Sequence, residues 1–347
     1  MYISSLRQEA LLPDSETVIG KSITIQGVTA LIASITCQDE KKQLWIFHHQ
    51  PQPACDEMDF CEMRKTNRGQ TVARILGQGA TLPYIASITM QGQTLYTCGS
   101  AGQYFGENWV AYMMLQHFME KGVDLSSIED IPLNELALIG YELQEGTPLP
   151  IFDPTKDAEI CLTLSDSFRE VLIDPPLYIT LSIGEHASPA PYTFYDHEEK
   201  KNREFYINRI FLYDPWEEME KLSSNETVQK QWRDSGMTEA QITELTKMQE
   251  QTTAQLCPKG QKMAVVQYET PDEIQLCFHT PQFLASAPNN NGCASVGFIF
   301  SNDDAKSLHG FTCRSDMLTT VPKDFHDTLD IELISWYRKI SGGFVKI

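Results

Sequence analysis

Short segments of strand length and strand composition recur along most of this sequence, and they constrain its fold more than any other feature. Residues 22–37 and 43–48 are rich in isoleucine, threonine and valine, which favour strands. Gly27 interrupts the first segment and predicts a bend or a bulge there. Residues 84–90 and 95–98 follow, and the Gln-Gly pair between them predicts a hairpin turn.

The same pattern returns in the carboxyl-terminal part of the chain. In residues 328–334, leucine and isoleucine alternate with acidic residues, which predicts a strand with one buried face and one wet face. Residues 294–300 are apolar without alternation and predict a central strand. Consecutive strands with short connections indicate antiparallel pairing. Further strands are predicted at residues 178–183, 205–213, 263–268, 273–279 and 310–314.

Helical signals are fewer and lie between the predicted strands. Residues 107–121 place apolar side chains at helical spacing and predict the clearest helix of the chain. Asp214 followed by proline marks a second helix start, and Thr238 with the glutamine three residues later marks a third. Residues 214–256 are therefore predicted to form a helical pair inserted between strands. A short helix is also predicted near residues 165–172.

A chain of 347 residues exceeds what one ordinary core holds. Glycine and three prolines cluster within residues 144–157, where a boundary is expected. The sequence therefore predicts an α+β protein, with mainly antiparallel sheets and flanking helices in two units. The first unit is expected to span residues 1–147. The second is expected to span residues 148–347 and to carry the helical insertion at about residues 214–256.

Negative charge is spread over the whole sequence. There are 47 acidic and 27 basic residues, which gives a net charge of −20. Residues 1–173 contribute −11 and residues 174–347 contribute −9. Nucleic acids and anionic membranes both require a concentrated basic face, so neither is an expected partner. Such a negative field favours cationic partners, including basic proteins. The alternative is that the negative charge only keeps the protein soluble.

Cysteine usage and hydropathy predict a cytoplasmic protein. The nine cysteines are an odd number, are widely spaced and contain no CxxC pair, so a disulfide framework or a zinc ribbon is not expected. We interpret them as reduced and mostly buried thiols. The sequence contains neither a secretory signal pattern nor about 18 consecutive apolar residues, the length of a membrane span.

Residues 99–106 form a glycine-rich segment before the predicted helix at 107. Such loops can hold phosphate with backbone amides at a helix start. However, the glycine spacing is not that of a dinucleotide fingerprint, and Glu107 places a carboxylate where phosphate would lie. A tight turn is therefore predicted, and no cofactor is expected.

Cysteines and histidines gather in the carboxyl-terminal third. Cys277 and His279 are two residues apart on a predicted strand and should share one face. Cys293 follows a turn-prone Asn-Gly run and is a candidate nucleophile, with His309 as its base. Zinc binding and ordinary core thiols are the alternatives, and Cys313 completes the group. The acid that orients the base would be Asp303, Asp304 or Asp316.

Two further groups have both a functional and a structural interpretation. One group could bind a divalent cation or form a solvated turn; it comprises His186, Asp196, His197, Glu198 and Glu199. Several large aromatic side chains near predicted element ends are candidate interface anchors, or else core residues. They are Tyr213, Trp216, Trp232, Trp336 and Tyr337.

The absence of a complete catalytic or cofactor motif, the distributed acidity and the candidate anchors together favour a role in protein binding. We expect an acidic intracellular inhibitor or immunity-type protein that neutralises a basic partner. The alternative is a hydrolase or transferase that uses Cys293, His309 and Asp316. Metal ions and cofactors are not expected in either interpretation.

Thiol labelling tests the interpretation of the cysteines. Because a buried thiol is inaccessible to alkylating reagents, native protein should be modified at few positions and unfolded protein at all nine. Mass spectrometry after alkylation counts the modified residues. Two or more native disulfides would contradict both the reduced state and the cytoplasmic location.

Overall fold

A computed structural model describes residues 10–51, 65–77, 82–106, 108–145, 159–186, 190–272, 274–288 and 307–346. Proximity of Cα atoms divides the chain into two compact units. The first comprises Met1–Asp56, Leu76–Arg169 and Lys339–Ile347, and the second comprises Glu57–Ile75 and Glu170–Arg338. The boundary predicted at residue 147 lies outside the described residues and stays a prediction.

The predicted α+β class with mainly antiparallel sheets is confirmed. The strands of the first half are β1 (Ser15–Ile25), β2 (Val28–Gln38), β3 (Lys41–His49), β4 (Ile85–Met90), β5 (Gln93–Tyr104), β6 (Leu136–Leu143) and β7 (Ile160–Leu164). Those of the second half are β8 (Ser167–Ser182), β9 (Gly184–Glu185), β10 (Tyr192–Asp196), β11 (Lys201–Tyr213), β12 (Gln261–Glu269), β13 (Gln275–His279), β14 (Cys313–Pro322), β15 (Thr328–Ile340) and β16 (Gly343–Lys346).

Helices are fewer than strands within the described residues. They are α1 (Asn67–Leu76), α2 (Trp109–Glu120), α3 (Pro215–Ser224), α4 (Glu226–Asp234), α5 (Glu239–Leu256) and α6 (Pro281–Ala285). The predicted helices at 107–121 and at the two starts within 214–256 are confirmed as α2, α3 and α5. Thr238 and Gln241 form the predicted capping box. Helix α4 was not predicted and begins after the N-cap Asn225. None of these helices is long and apolar enough to cross a membrane.

The first unit contains an eight-stranded sheet in the order β1-β2-β3-β6-β5-β4-β7-β16. Gly27, with φ of +84°, lies in the turn between β1 and β2, so the predicted bend is a hairpin. Residues 91 and 92 form the turn predicted between β4 and β5. One sheet face packs isoleucines and leucines of seven strands together. The other face packs against α2.

Trp45 joins the sheet of the first unit to α2. Its ring lies 6.2 Å from that of Phe118 in α2, and its indole N–H donates to Thr36 Oγ1 at 2.8 Å. Gly140 of the neighbouring strand β6 makes room for this ring, because a Cβ there would lie 2.7 Å from it. The close packing of an indole against bare backbone thus depends on one glycine.

The second unit is a sandwich of two sheets. A five-stranded sheet has the order β10-β11-β12-β14, with β9 beside β11, and a three-stranded sheet has the order β13-β15-β8. Their facing side chains form one core of aromatic and branched aliphatic residues, which includes Phe205, Tyr268, Phe278 and Trp336. Helices α3, α4 and α5 are inserted between β11 and β12.

Three local predictions are wrong. Residues 165–172 are not helical, because most of them belong to β8, which pairs beside β15. Residues 99–104 are not a tight turn but the end of β5, where they pair with β6. In β15, Glu332 is fully buried and not on a wet face, because both its carboxylate oxygens accept hydrogen bonds from Arg68 of α1.

Burial of the thiols is less complete than predicted. The six cysteines within the described residues are free: Cys257 is buried, Cys98 is exposed, and the other four are half-buried. Cys98 is therefore the described thiol that should react first with an alkylating reagent. Cys55, Cys61 and Cys293 lie outside the described residues.

Substitution at Gly140 tests the contact with Trp45. Gly140→Ala places a methyl group within 2.7 Å of the fixed indole, so we expect a loss of unfolding free energy of about 1–3 kcal/mol. Gly99→Ala is a matched control in strand β5, since its added Cβ meets only Glu142 Oε2 at 3.7 Å. Urea unfolding measures both variants, and equal stabilities would contradict the proposed crowding.

Candidate functional site

The predicted catalytic group is only partly within the described residues. Cys293, Asp303 and Asp304 lie outside them, so the nucleophile role of Cys293 stays a prediction. His309 and Asp316 are described, but the hydrogen bonds that the structure describes for Asp316 do not involve His309. Asp316 accepts the backbone N–H of Phe278 at 2.7 Å.

His309 is held through its backbone and its ring. Its N–H donates to the carboxylate of Glu269, 3.2 Å from Oε2. Its imidazole stacks on Tyr206, with 4.0 Å between the ring centroids. Within the described part of the chain, the buried Nε2 has no hydrogen-bond partner.

Glu269 organises the loop that contains His309. Besides that residue, its fully buried carboxylate accepts the amides of Leu308 at 2.6 Å and Phe311 at 2.9 Å, and the side chain of Asn208 at 2.8 Å. Burial alone would raise the pKa of Glu269, but these hydrogen bonds hold it below its ordinary value. The carboxylate therefore fixes the loop as a charged group.

Cys277 and His279 extend from the same face of β13, as predicted, but their environment is unsuited to nucleophilic chemistry. Burial, together with the charges of Asp316 and Glu170, raises the pKa of the Cys277 thiol to about 12. Burial also lowers the pKa of His279. A thiol that stays protonated beside a neutral imidazole is a poor nucleophile. This pair fits the interpretation as core residues.

The acids near residue 196 form ion pairs with arginines. Asp196 is buried and accepts from Arg203 at 2.8 Å and Arg338 at 2.5 Å. Burial alone would raise the pKa of Asp196, but these guanidinium groups lower it to about 2. Glu198 pairs with Arg338, and Glu199 pairs with Arg203. The described residues contain no group of side chains suited to a metal ion.

Two of the predicted interface anchors are in structural positions. Trp336 is 1% exposed and belongs to the sandwich core, so it is not an anchor. Trp216 is half-buried and donates its indole N–H to Cys257 O at 2.8 Å. Trp232, in α4, is half-buried and stays a candidate anchor.

The inserted helices have an unusual surface, which we call the helical arm (residues 214–256). Neither α4 nor α5 contains a buried residue, although α5 has 18 residues. Ile242 and Leu245 are half-buried, and Met248 is 56% exposed. Helices of globular proteins normally bury an apolar stripe against a core. The arm therefore carries apolar side chains that its own unit covers incompletely.

The arm is also the more densely charged part of the molecule. It contains nine acidic and four basic residues, so five of the 20 net negative charges fall on 43 residues. Some acids are paired within the arm, such as Glu239 with Arg233 at 2.7 Å. Within the described residues, Asp234, Glu244 and Glu250 have no ion-pair partner and are exposed.

Comparison with known proteins identifies no relative, because no family model, curated protein or solved structure matches the chain. The sequence predicted the arm as a helical insertion between two strands. Its lack of buried residues was not predicted, because helical spacing shows that an apolar face exists but not whether anything covers it.

Asp316 gives the candidate group a testable pH dependence. Burial raises its pKa from the ordinary 3.8 to about 7, so the folded protein holds this proton more tightly than the unfolded chain. The associated stability is present below pH 3.8 and is lost as the pH rises through about 7. Asp316→Asn removes the titration and keeps an acceptor for the Phe278 amide.

We therefore expect Asp316→Asn to be more stable than the unsubstituted protein at pH 8, by up to about 4 kcal/mol. The difference should vanish near pH 4. Urea unfolding at both pH values measures it. Asp234→Asn, at an exposed aspartate, is the control and should show no such change. A difference that is the same at both pH values would contradict the elevated pKa.

Proposed function

We propose that this protein binds another protein of net positive charge, acting as an acidic inhibitor or immunity-type protein. The observation that supports this function best is the helical arm. Its apolar stripe is only partly covered and is flanked by acids that have no ion-pair partner among the described residues. Such a surface complements a partner with an apolar patch surrounded by lysine and arginine.

The stripe would supply most of the affinity. Ile242, Leu245 and Met248 follow one another at a spacing of three residues along α5. Apolar surface contributes roughly 25 cal/mol for each Å² removed from water. Trp232 of α4, a residue type enriched at binding hot spots, is half-buried in the same arm.

The acids would supply orientation and speed of association. Glu244 and Glu250 are exposed on α5 and have no ion-pair partner among the described residues. Exposed charges of one sign steer an oppositely charged partner and discriminate against acidic ones. Because the net charge of −20 is spread over both halves of the chain, the rest of the molecule reinforces this preference.

A matched pair of substitutions in α5 tests the stripe. Leu245→Ser removes a stripe residue, whereas Gln251→Ser introduces the same side chain on an exposed position of the same helix. Affinity capture from the source cells, followed by mass spectrometry, should identify a basic protein that the unsubstituted chain and Gln251→Ser retain. With that protein purified, calorimetry should show roughly tenfold weaker binding by Leu245→Ser.

Salt dependence tests the charge. Screening shortens to a Debye length of about 8 Å at physiological ionic strength, so affinity should fall as salt rises. The double variant Glu244→Gln, Glu250→Gln should bind more weakly at low salt and show a shallower salt dependence. If no basic protein depends on the arm, or if Leu245→Ser binds as well as Gln251→Ser, the proposed function is wrong.

A further inference from the structure

The first unit contains a cleft of about 910 Å³ on the sheet face that packs against α2. This volume lies within the range of about 300–1,000 Å³ that is usual for small-molecule sites. Ala101 of β5 contributes only a methyl group to the cleft, and Gln103, two residues further along the strand, lines the same face.

Aromatic and aliphatic side chains provide the apolar part of the cleft. Trp45 lies against Gly140 and contributes to the floor, with 4% of its surface exposed. Trp109, at the start of α2, is 37% exposed and lines the wall. Val110 and Met114 continue this wall along the helix. A tryptophan that is both exposed and positioned in a cleft offers a flat apolar surface to a ligand.

Three polar side chains that line the cleft have no partner among the described residues. Asp39, Lys41 and Gln43 line the cleft from the β2–β3 hairpin. The structure describes no hydrogen bond or ion pair for these three side chains. By contrast, Gln38 accepts the amide of Leu12 at 2.8 Å and is therefore occupied. Convergent polar groups without partners beside an apolar wall are typical of a binding site.

The chemistry of these groups indicates the class of ligand. Asp39 only accepts hydrogen bonds, Lys41 only donates them, and the amide of Gln43 does both. Neighbouring hydroxyl groups, each of which donates and accepts, satisfy such a mixture. The single carboxylate and single ammonium group balance each other, which favours an uncharged ligand. The net charge of −20 further disfavours an anion.

We propose that this cleft binds a neutral saccharide. The apolar face of a sugar ring would stack on Trp109, while its hydroxyl groups would bond to Asp39, Lys41 and Gln43. The cleft lies in the first unit and the helical arm in the second. This inference is therefore independent of the proposed function, and either one can fail without the other.

Ligand-detected NMR with four disaccharides, cellobiose, maltose, lactose and chitobiose, tests the proposal. We expect saturation transfer to at least one of them, with calorimetry giving a dissociation constant in the millimolar range or tighter. Trp109→Ala should weaken binding at least about tenfold, and Gln43→Ala should also weaken it. Tyr178→Ala removes an aromatic residue that is 62% exposed in the second unit, and should leave binding unchanged.

Three results would overturn the saccharide assignment. The first is no transfer to any of the four disaccharides. The second is binding that Trp109→Ala leaves intact, which would place the sugar elsewhere. The third is displacement of the bound sugar by the dipeptide Gly-Leu at equal concentration, which would indicate a cleft for peptides. Circular dichroism of each variant identifies any loss of folding, and Gln43→Ala keeps the test decisive if Trp109→Ala unfolds.

Discussion

The second unit depends on neutralising carboxylates that its own strands bury. Removing a charged group from water is costly unless partners satisfy it, and breaking such a pair costs about 3–5 kcal/mol. Within the described residues, at least four arginines pair with buried acids. The pairs are Glu332 with Arg68, Glu170 with Arg74, and Asp196 with both Arg203 and Arg338. A chain with few bases thus uses several of them internally, and exposed acids such as Glu244 and Glu250 have no ion-pair partner among the described residues.

Composition and capping patterns predicted the secondary structure of those segments whose conformation depends mainly on their own residues. Strand composition predicted β1 to β5 of the first sheet but not β6, β7 or β16. Capping residues predicted the starts of α3 and α5. The predictions were wrong where the structure of a segment depends on a partner that is distant in the sequence. The alternation in β15 predicted that Glu332 faces water. It is buried instead because it pairs with Arg68, which lies 264 residues away in the sequence. Residues 165–172 form a strand because β8 lies beside β15.

The two candidate sites illustrate the same limit of sequence reasoning. The helical arm is one continuous segment, and its charge and apolar spacing could be counted directly. The cleft combines a hairpin near residue 40 with the start of α2 near residue 109. The glycine-rich segment of residues 99–106 has the composition of a phosphate loop, but residues 99–104 pair with β6 as the end of β5. Only the pairing of β3, β6 and β5 brings those segments together.

The position of the insertion has a consequence for how the molecule unfolds. Strands β11 and β12 are adjacent and antiparallel, and Tyr213 at the end of one pairs with Met263 near the start of the other. The arm thus replaces what would otherwise be a hairpin turn. Since α4 and α5 bury no residue, they can open without disturbing the sandwich core. Amide hydrogens of the arm would then exchange by local opening, while those of β12 exchange only through global unfolding.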